Sequence, residues 1–357
     1  MRRRGSRRDA FLDLLLGRGL LPDPVLRAGV RVACARRLRH ERRGSAVAQE
    51  RRRRRLAAEL AHGPMAARPE IANEQHYEVP VPFFEQVLGP RLKYSCCFWP
   101  EGTADLGAAE EAMLGLSCER AGMADGLEVL DLGCGWGSLA LWIAERYPAA
   151  RVLAVSNSQR QREFIVAAAA RRGLDRVEAV CADIAEFRTE RRFDRVFAIE
   201  AMEYLTNWEA FLAAVAGWLR PEGRLFVHAF THRRFGYRYE GSWMARNFFG
   251  GGLMPSHDLL TSFQRDLVVA GRWAVSGTHF ERTARAWLER LDANAGAAKL
   301  ALADEAGGRE ARRDLARWRL FFLACEGTWG YRDGNEWQVS HYVLEQSAAS
   351  SAPARSH

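Results

Sequence analysis

The chain has 357 residues, 48% of them hydrophobic, and a formal net charge of +8, enough for one large domain or two ordinary ones. The charge is uneven: residues 1–62 carry 18 arginines against six acids, so the remainder is net negative and offers no basic groove for nucleic acid. No apolar run reaches the ~18 residues of a membrane span. The seven scattered cysteines (34, 96, 97, 118, 134, 181 and 325) match neither a zinc spacing nor a disulfide framework, which points to a reducing, cytoplasmic setting with no bound metal.

Residues 2–8 (RRRGSRR) lack the Ser-rich, amphipathic length of a targeting peptide. Asp23-Pro24 is a helix start, and that helix should run to about Arg43. Gly44-Ser45 breaks it, a second helix covers roughly 46–62, and Gly63-Pro64 closes a basic N-terminal arm over 1–63. The arm reads as a solvated helical pair. Peripheral contact with an anionic membrane through residues 1–62 is its functional alternative.

From Glu128 the pattern changes. EVLDLG is a short apolar run, followed by glycines and by SLALWIAERYP, which has helical spacing. RVLAVS reads as a second strand, 158–173 as a helix, VEAVCAD as a third strand and FDRVFAIE as a fourth. A helix over 208–219 and the strand RLFVHAF complete an alternation that implies a parallel sheet with right-handed crossovers. Residues 231–271, rich in aromatics and arginine, read as an irregular cover over the sheet. RWAVSGTHF (272–280) resumes as a strand, helices follow at about 283–303 and 308–326, and EWQVSHYVL (336–344), behind the turn RDGN, should be an antiparallel closing strand. The domain thus spans 64–346, with its cover at about 231–271 and 283–335. The tail 347–357 is low-complexity and reads as disordered.

LDLGCGWGS sets Gly133, Gly135 and Gly137 directly after the first strand. In open α/β sheets, ligands bind outside the carboxyl ends of the strands, and glycines there let backbone approach a ligand. The G-x-G-x-G spacing differs from the G-x-G-x-x-G of dinucleotide enzymes. With Asp131 before it and Asp183 closing the third strand, it fits S-adenosylmethionine better. Asp131 can hold the amino acid end, and Asp183 can accept from the adenine.

LKYSCCFW, VLDLGCGWGSLALWIAERYP, FDRVFAIEAMEYLTNW, LRPEGRLFVHAFTH, GTHFERTARAWLERLD and WGYRDGNEWQVSHY fall in the order of the cyclopropane-fatty-acid-synthase superfamily. They most resemble its coclaurine N-methyltransferase branch. The resemblance covers about 70–345 and implies a seven-stranded, Rossmann-like class I methyltransferase fold that uses S-adenosylmethionine. It carries cofactor roles onto Tyr94, Ser95, Asp131, Gly133 and Gly135. Ser156 and Gln161 would hold the ribose, and Asp183 and Ile184 the adenine. The second strand ends in Ser156-Asn157, without the acid that usually takes a ribose hydroxyl, and the family also lacks that acid.

The branch ends its fourth strand in a motif like E-x-x-E-H, which here is Glu200-Ala201-Met202-Glu203-Tyr204. Both carboxylates are kept and the histidine is replaced. A small amine is protonated near neutrality, so a carboxylate must attract the cation and take its proton. Glu203 is the expected base, Glu200 a second anchor and Tyr204 a relay or filler. His228 and His232 lie toward the same crevice, His228 being the stronger site candidate. Trp99, Trp243, Phe249, Trp329 and Tyr331 can wall a pocket for a cation or flat ring. Three rivals are methylation of an alkene in a phospholipid, a nucleic-acid methyltransferase, and a fold that binds the cofactor without chemistry. The first uses a bicarbonate base held at positions matching Glu203, His228 and the tyrosine of an H-Y pair; here that pair is His279-Phe280. The sequence leaves the oligomeric state open.

Overall fold

The computed structural model describes residues 15–16, 20–66, 79–241, 243–306 and 308–347. The segment 2–8 and the tail beyond Ser347 lie outside the described residues.

Seven strands form one sheet in the order β3-β2-β1-β4-β5-β9-β8. They are β1 (Glu128–Leu132), β2 (Arg151–Ser156), β3 (Val177–Cys181), β4 (Phe193–Ile199), β5 (Leu219–His232), β8 (Leu267–Val275) and β9 (Trp337–Gln346). The first five run parallel, while β9 pairs antiparallel with both β5 and β8. The fold is therefore that of the class I methyltransferases, as the resemblance implied. The expected closing strand is internal, and β8 forms the edge. That edge strand begins at Leu267, inside the stretch expected to be irregular, and Gly277 to Phe280 already belong to the following helix. The alternation of apolar residues is weak in β8 because only Leu267 and Val275 are buried.

Helices α1 (Asp23–Glu41) and α2 (Ala46–Glu59) match the expected arm, with Ser45 capping α2 by accepting from the Ala48 N–H. They pack against the body. Cys34 and Leu38 enter the core under the cover, and Leu56 and Leu60 enter the core behind the sheet. Arg319 bridges Asp23 and Asp292. In α2 most of the arginine run is engaged within the protein: Arg52 donates to the carbonyls of Glu41 and Arg43, Arg53 and Arg54 pair with Glu50, and Arg55 pairs with Glu59. A short helix α3 (Val81–Val87) follows.

Helix α4 (Leu106–Ala121) was not anticipated, although Asp105 caps it by accepting from Ala108 and Gly122 ends it in the left-handed region. With α5 (Ser138–Arg146) and α6 (Gln159–Arg172) it covers one face of the sheet, and α7 (Trp208–Trp218) covers the other. Over the carboxyl ends of the strands lies an aromatic cover. It consists of the hairpin β6 (Tyr237–Arg238) and β7 (Leu253–Met254), the short α8 (Trp243–Asn247), and helices α9 (Gly277–Ala293), α10 (Ala295–Ala306) and α11 (Gly308–Trp329). Among the described residues no helix is long and apolar enough to cross a membrane.

Candidate active site

A cleft enclosing about 1080 Å³, part of it open to solvent, lies between the carboxyl ends of β1, β4 and β5 and the cover. Its floor is the loop after β1. Gly133, Gly135 and Gly137 all have positive φ, but their surroundings differ. A Cβ on Gly137 would meet Ile165 Cγ1 at 2.7 Å, so that glycine lets α5 close on α6. A Cβ on Gly135 would meet nothing within 4 Å, because it points into the cleft.

The groups around this floor fit S-adenosylmethionine. Asp131 is buried, and burial pushes its carboxyl up to about 7 despite the backbone N–H of Ala140. Among the described residues its Oδ2 has no partner, nor do Ser138 Oγ and Trp136 Nε1 beside it. Buried polar atoms are normally satisfied, and a ligand with an ammonium and hydrogen-bonding groups would satisfy these. Tyr94, Ser95, Asp131, Gly133, Gly135 and Gln161 all line the cleft. Ser156, Asn157, Asp183 and Ile184 stand off its wall, at the ends of β2 and β3. Ser156 is expected to hold a ribose directly. Its hydroxyl instead donates to Gln161 Oε1 at 2.6 Å and accepts from the Ser158 N–H, so it orients Gln161, which does face the cleft. Asp183 accepts from the Ala185 N–H and shapes the turn after β3.

The two glutamates are handled differently. Glu200 has φ +47, a conformation unfavourable for a residue with a side chain. The backbone is held there by its N–H donating to the His228 carbonyl at 2.7 Å. This turn, one residue past β4, aims the side chain into the cleft. Glu200 Oε1 accepts from the Cys96 N–H at 2.9 Å and lies 3.2 Å from His228 Nε2. Burial pushes its carboxyl up to about 7, against the pull of the Cys96 N–H and of Lys93. Glu203, in the following 3₁₀ turn (Met202–Tyr204), is fully buried and does not line the cleft. Its Oε1 accepts from the Phe230 N–H at 2.7 Å, while Oε2 has no partner among the described residues. Burial, and then the charge of Glu200, push its carboxyl well above the ordinary range. Two such coupled carboxyls titrate as a pair. Glu203 was the expected base, yet the wall position belongs to Glu200.

His228 is buried behind Glu200, off the cleft wall, and burial holds it well below the usual histidine range. His232 serves structure: its Nδ1 accepts the N–H groups of Arg234 and Phe235 at the end of β5. Of the expected aromatic wall, Phe249 and Trp329 face the cleft. Trp99 is tied to Thr283 and lies under Arg282, Trp243 packs on Phe248, and Tyr331 packs on Trp337. Tyr204 does line the cleft, nearly parallel to Phe249 at 6.4 Å, and Phe249 stacks in turn on Tyr239. The wall is completed by Phe230, Phe280, Trp287 and Phe321, all missed as site residues except for the noted change at Phe280. Helical spacing in α9 and α11 signals only that such residues are buried. Lys93 was also missed. It is buried on the wall and donates to Ser95 Oγ and to the Cys96 carbonyl at 2.7 Å. Among the described residues no cluster of ligating side chains could hold a metal ion.

Comparison with known proteins shows the family and the fold. The family model for mycolic acid cyclopropane synthetase matches residues 66–339. An (S)-coclaurine N-methyltransferase of Thalictrum flavum subsp. glaucum is 37% identical over 92% of this chain and 93% of its own. The cyclopropane-fatty-acyl-phospholipid synthase of Escherichia coli K12 is 27% identical over 75% of this chain and 67% of its own. A crystal structure of coclaurine N-methyltransferase bound to N-methylheliamine and S-adenosylhomocysteine superposes with a TM-score of 0.91, at 35% identity, over 94% of this chain and 99% of that one.

Proposed function

Because the chain belongs to the mycolic acid cyclopropane synthetase family, we propose that it transfers a methyl group from S-adenosylmethionine to the nitrogen of a small amine, with Glu200 receiving the ammonium and taking its proton. The observation that carries the assignment to Glu200 is its ionisable carboxyl on an otherwise largely aromatic wall. The cofactor supplies a methyl on a sulfonium, open to in-line displacement by a lone pair. The residues supply alignment, water exclusion and a destination for one proton. Exposing the lone pair of an alkylamine at pH 7 costs about 4–5 kcal/mol for a pKa of ~10.4. A carboxylate raised toward neutrality is a stronger base than an exposed one and reduces that cost. The rings of Tyr204, Phe249 and Trp329 can hold the ammonium face-on before it is deprotonated. Burial and the charge of Glu200 push the Glu203 carboxyl up, which favours a single negative charge on the pair, carried by Glu200.

Alkene methylation through a bound bicarbonate is disfavoured at the same spot. Glu200 already occupies His228 Nε2, Glu203 Oε1 is taken by the Phe230 N–H, and Phe280 brings no hydroxyl. The basic arm stays a proposal as a membrane contact.

Glu200→Gln tests the reading. Methylation of the best amine found in a screen should fall ~10²–10⁴-fold at pH 7 and recover at pH 10, with S-adenosylmethionine affinity kept. Full activity at pH 7, or faster turnover of unsaturated phospholipid vesicles that depends on added bicarbonate, overturns it.

A further inference from the structure

Behind Glu200 a chain of buried polar groups leaves the site and crosses to the far strand. His228 Nε2 meets Glu200 Oε1, His228 Nδ1 lies 2.9 Å from His341 Nε2, and His341 Nδ1 lies 2.7 Å from Arg120 Nη1. The two histidines are directly paired across β5 and β9. Arg120 lies in the last turn of α4, partly exposed, with its guanidinium over Trp273.

A guanidinium has donors only, so His341 Nδ1 must accept. A neutral imidazole then carries its proton on Nε2, which donates to His228 Nδ1. His228 is in turn left with its proton on Nε2, pointed at Glu200. One cation fixes every tautomer in the row, and all three bonds point the same way. Such aligned bonds reinforce one another.

We propose that Arg120 and His341 are positioning residues that pin the tautomer of His228, so that His228 serves only as a donor and holds the Glu200 carboxylate ionised and aimed into the cleft. The proposal rests on the reading of Glu200 as the proton acceptor. Because arginine does not give up its proton, the row is a fixed strut and not a route by which the substrate proton leaves. Other groups act on its members. Lys93 and the Cys96 N–H favour the ionised form of Glu200, and its charge raises Glu203, Cys96, Cys97 and Cys325. The charge of Glu119 acts on Arg120, and Lys93 acts on both histidines. None of these supplies the donor that fixes His341 Nδ1.

The first test needs no turnover. In ¹H–¹⁵N spectra of the full chain labelled at histidine and assigned with His228→Gln and His341→Gln, both residues should show neutral rings protonated at Nε2. A ring protonated at Nδ1 in either residue overturns the proposal. The second test is the pH profile. Arg120→Met should move the acid limb of kcat/KM for the amine up by at least ~1 unit, a ~5-fold loss at pH 7 that approaches ~10-fold at lower pH, with S-adenosylmethionine affinity unchanged. Arg120→Lys, again a donor-only cation, should restore most of it. An unmoved limb in Arg120→Met overturns the coupling to Glu200 even if the tautomers are as expected. Full activity of Glu200→Gln instead overturns the reading beneath it.

Discussion

The floor and the wall of the cleft are built on different principles. The floor is backbone: a loop of a few consecutive residues after β1, shaped by glycines, with Asp131 on the strand that leads into it. The wall is side chain. Tyr204, Phe230, Phe249, Phe280, Trp287, Phe321 and Trp329 come from five separate segments between β4 and the end of α11. A floor of this kind fails when a single atom is added. A wall of large rings degrades by degrees, because each ring is one of several neighbours.

The largest expected effect attacks the floor. Gly135→Val puts two methyls into the cleft and forces a branched residue to φ +54. S-adenosylmethionine binding should fall by ~100-fold or more, on the scale of a close contact that cannot relax, while calorimetric unfolding stays cooperative. Gly137→Ala should do the reverse, lowering the melting temperature and sparing affinity, since its Cβ meets Ile165. Equal loss of binding in both would erase the distinction. Next in size is the pH dependence of the floor. Asp131, raised to about 7 by burial, must be ionised to hold an ammonium. Affinity should therefore weaken as pH falls below about 7, approaching tenfold per unit, as titration calorimetry can follow. A flat profile from pH 5 to 8 would remove Asp131 from that role. On the wall, Phe249→Leu loses stacking on Tyr204 and Tyr239, worth ~0.5–1.5 kcal/mol per pair. The amine KM should rise several-fold at constant cofactor affinity. Smallest is Arg42→Ala. Its ion pair with Glu336 is half exposed on the arginine side, and Arg332 also pairs with Glu336, so no more than ~1 kcal/mol should be lost.

The same contrast explains what the sequence reveals. The floor is local, so LDLGCGWGS shows the strand, the turn and the helix start together, and β1 to β4 fall close to their expected bounds. Glu200 and Glu203 are legible as a pair, but which one faces the cleft depends on one left-handed residue, and no spacing rule marks a non-glycine residue for that conformation. Trp99, Trp243 and Tyr331 looked equal to Trp329 because composition cannot say which ring turns inward. Arg120, His228 and His341 meet only through the register of β5 on β9 and the packing of α4. His341 reads as one more alternating strand residue until that register is known. Helix α4 was a readable miss, since Asp105 and Gly122 bracket it.

The internal position of β9 has a consequence in time. Strand β5 is translated roughly 100 residues before the partner on its open side, and synthesis at ~5–20 residues per second leaves that edge bare for ~5–20 s. The cofactor floor, made of β1 to β4, can assemble in that interval. The row of histidines cannot, because His341 arrives with the last strand of the sheet. A nascent or prematurely terminated chain should thus be able to capture the cofactor before it can use it, and it should present β5 as a sticky edge to chaperones until β9 inserts.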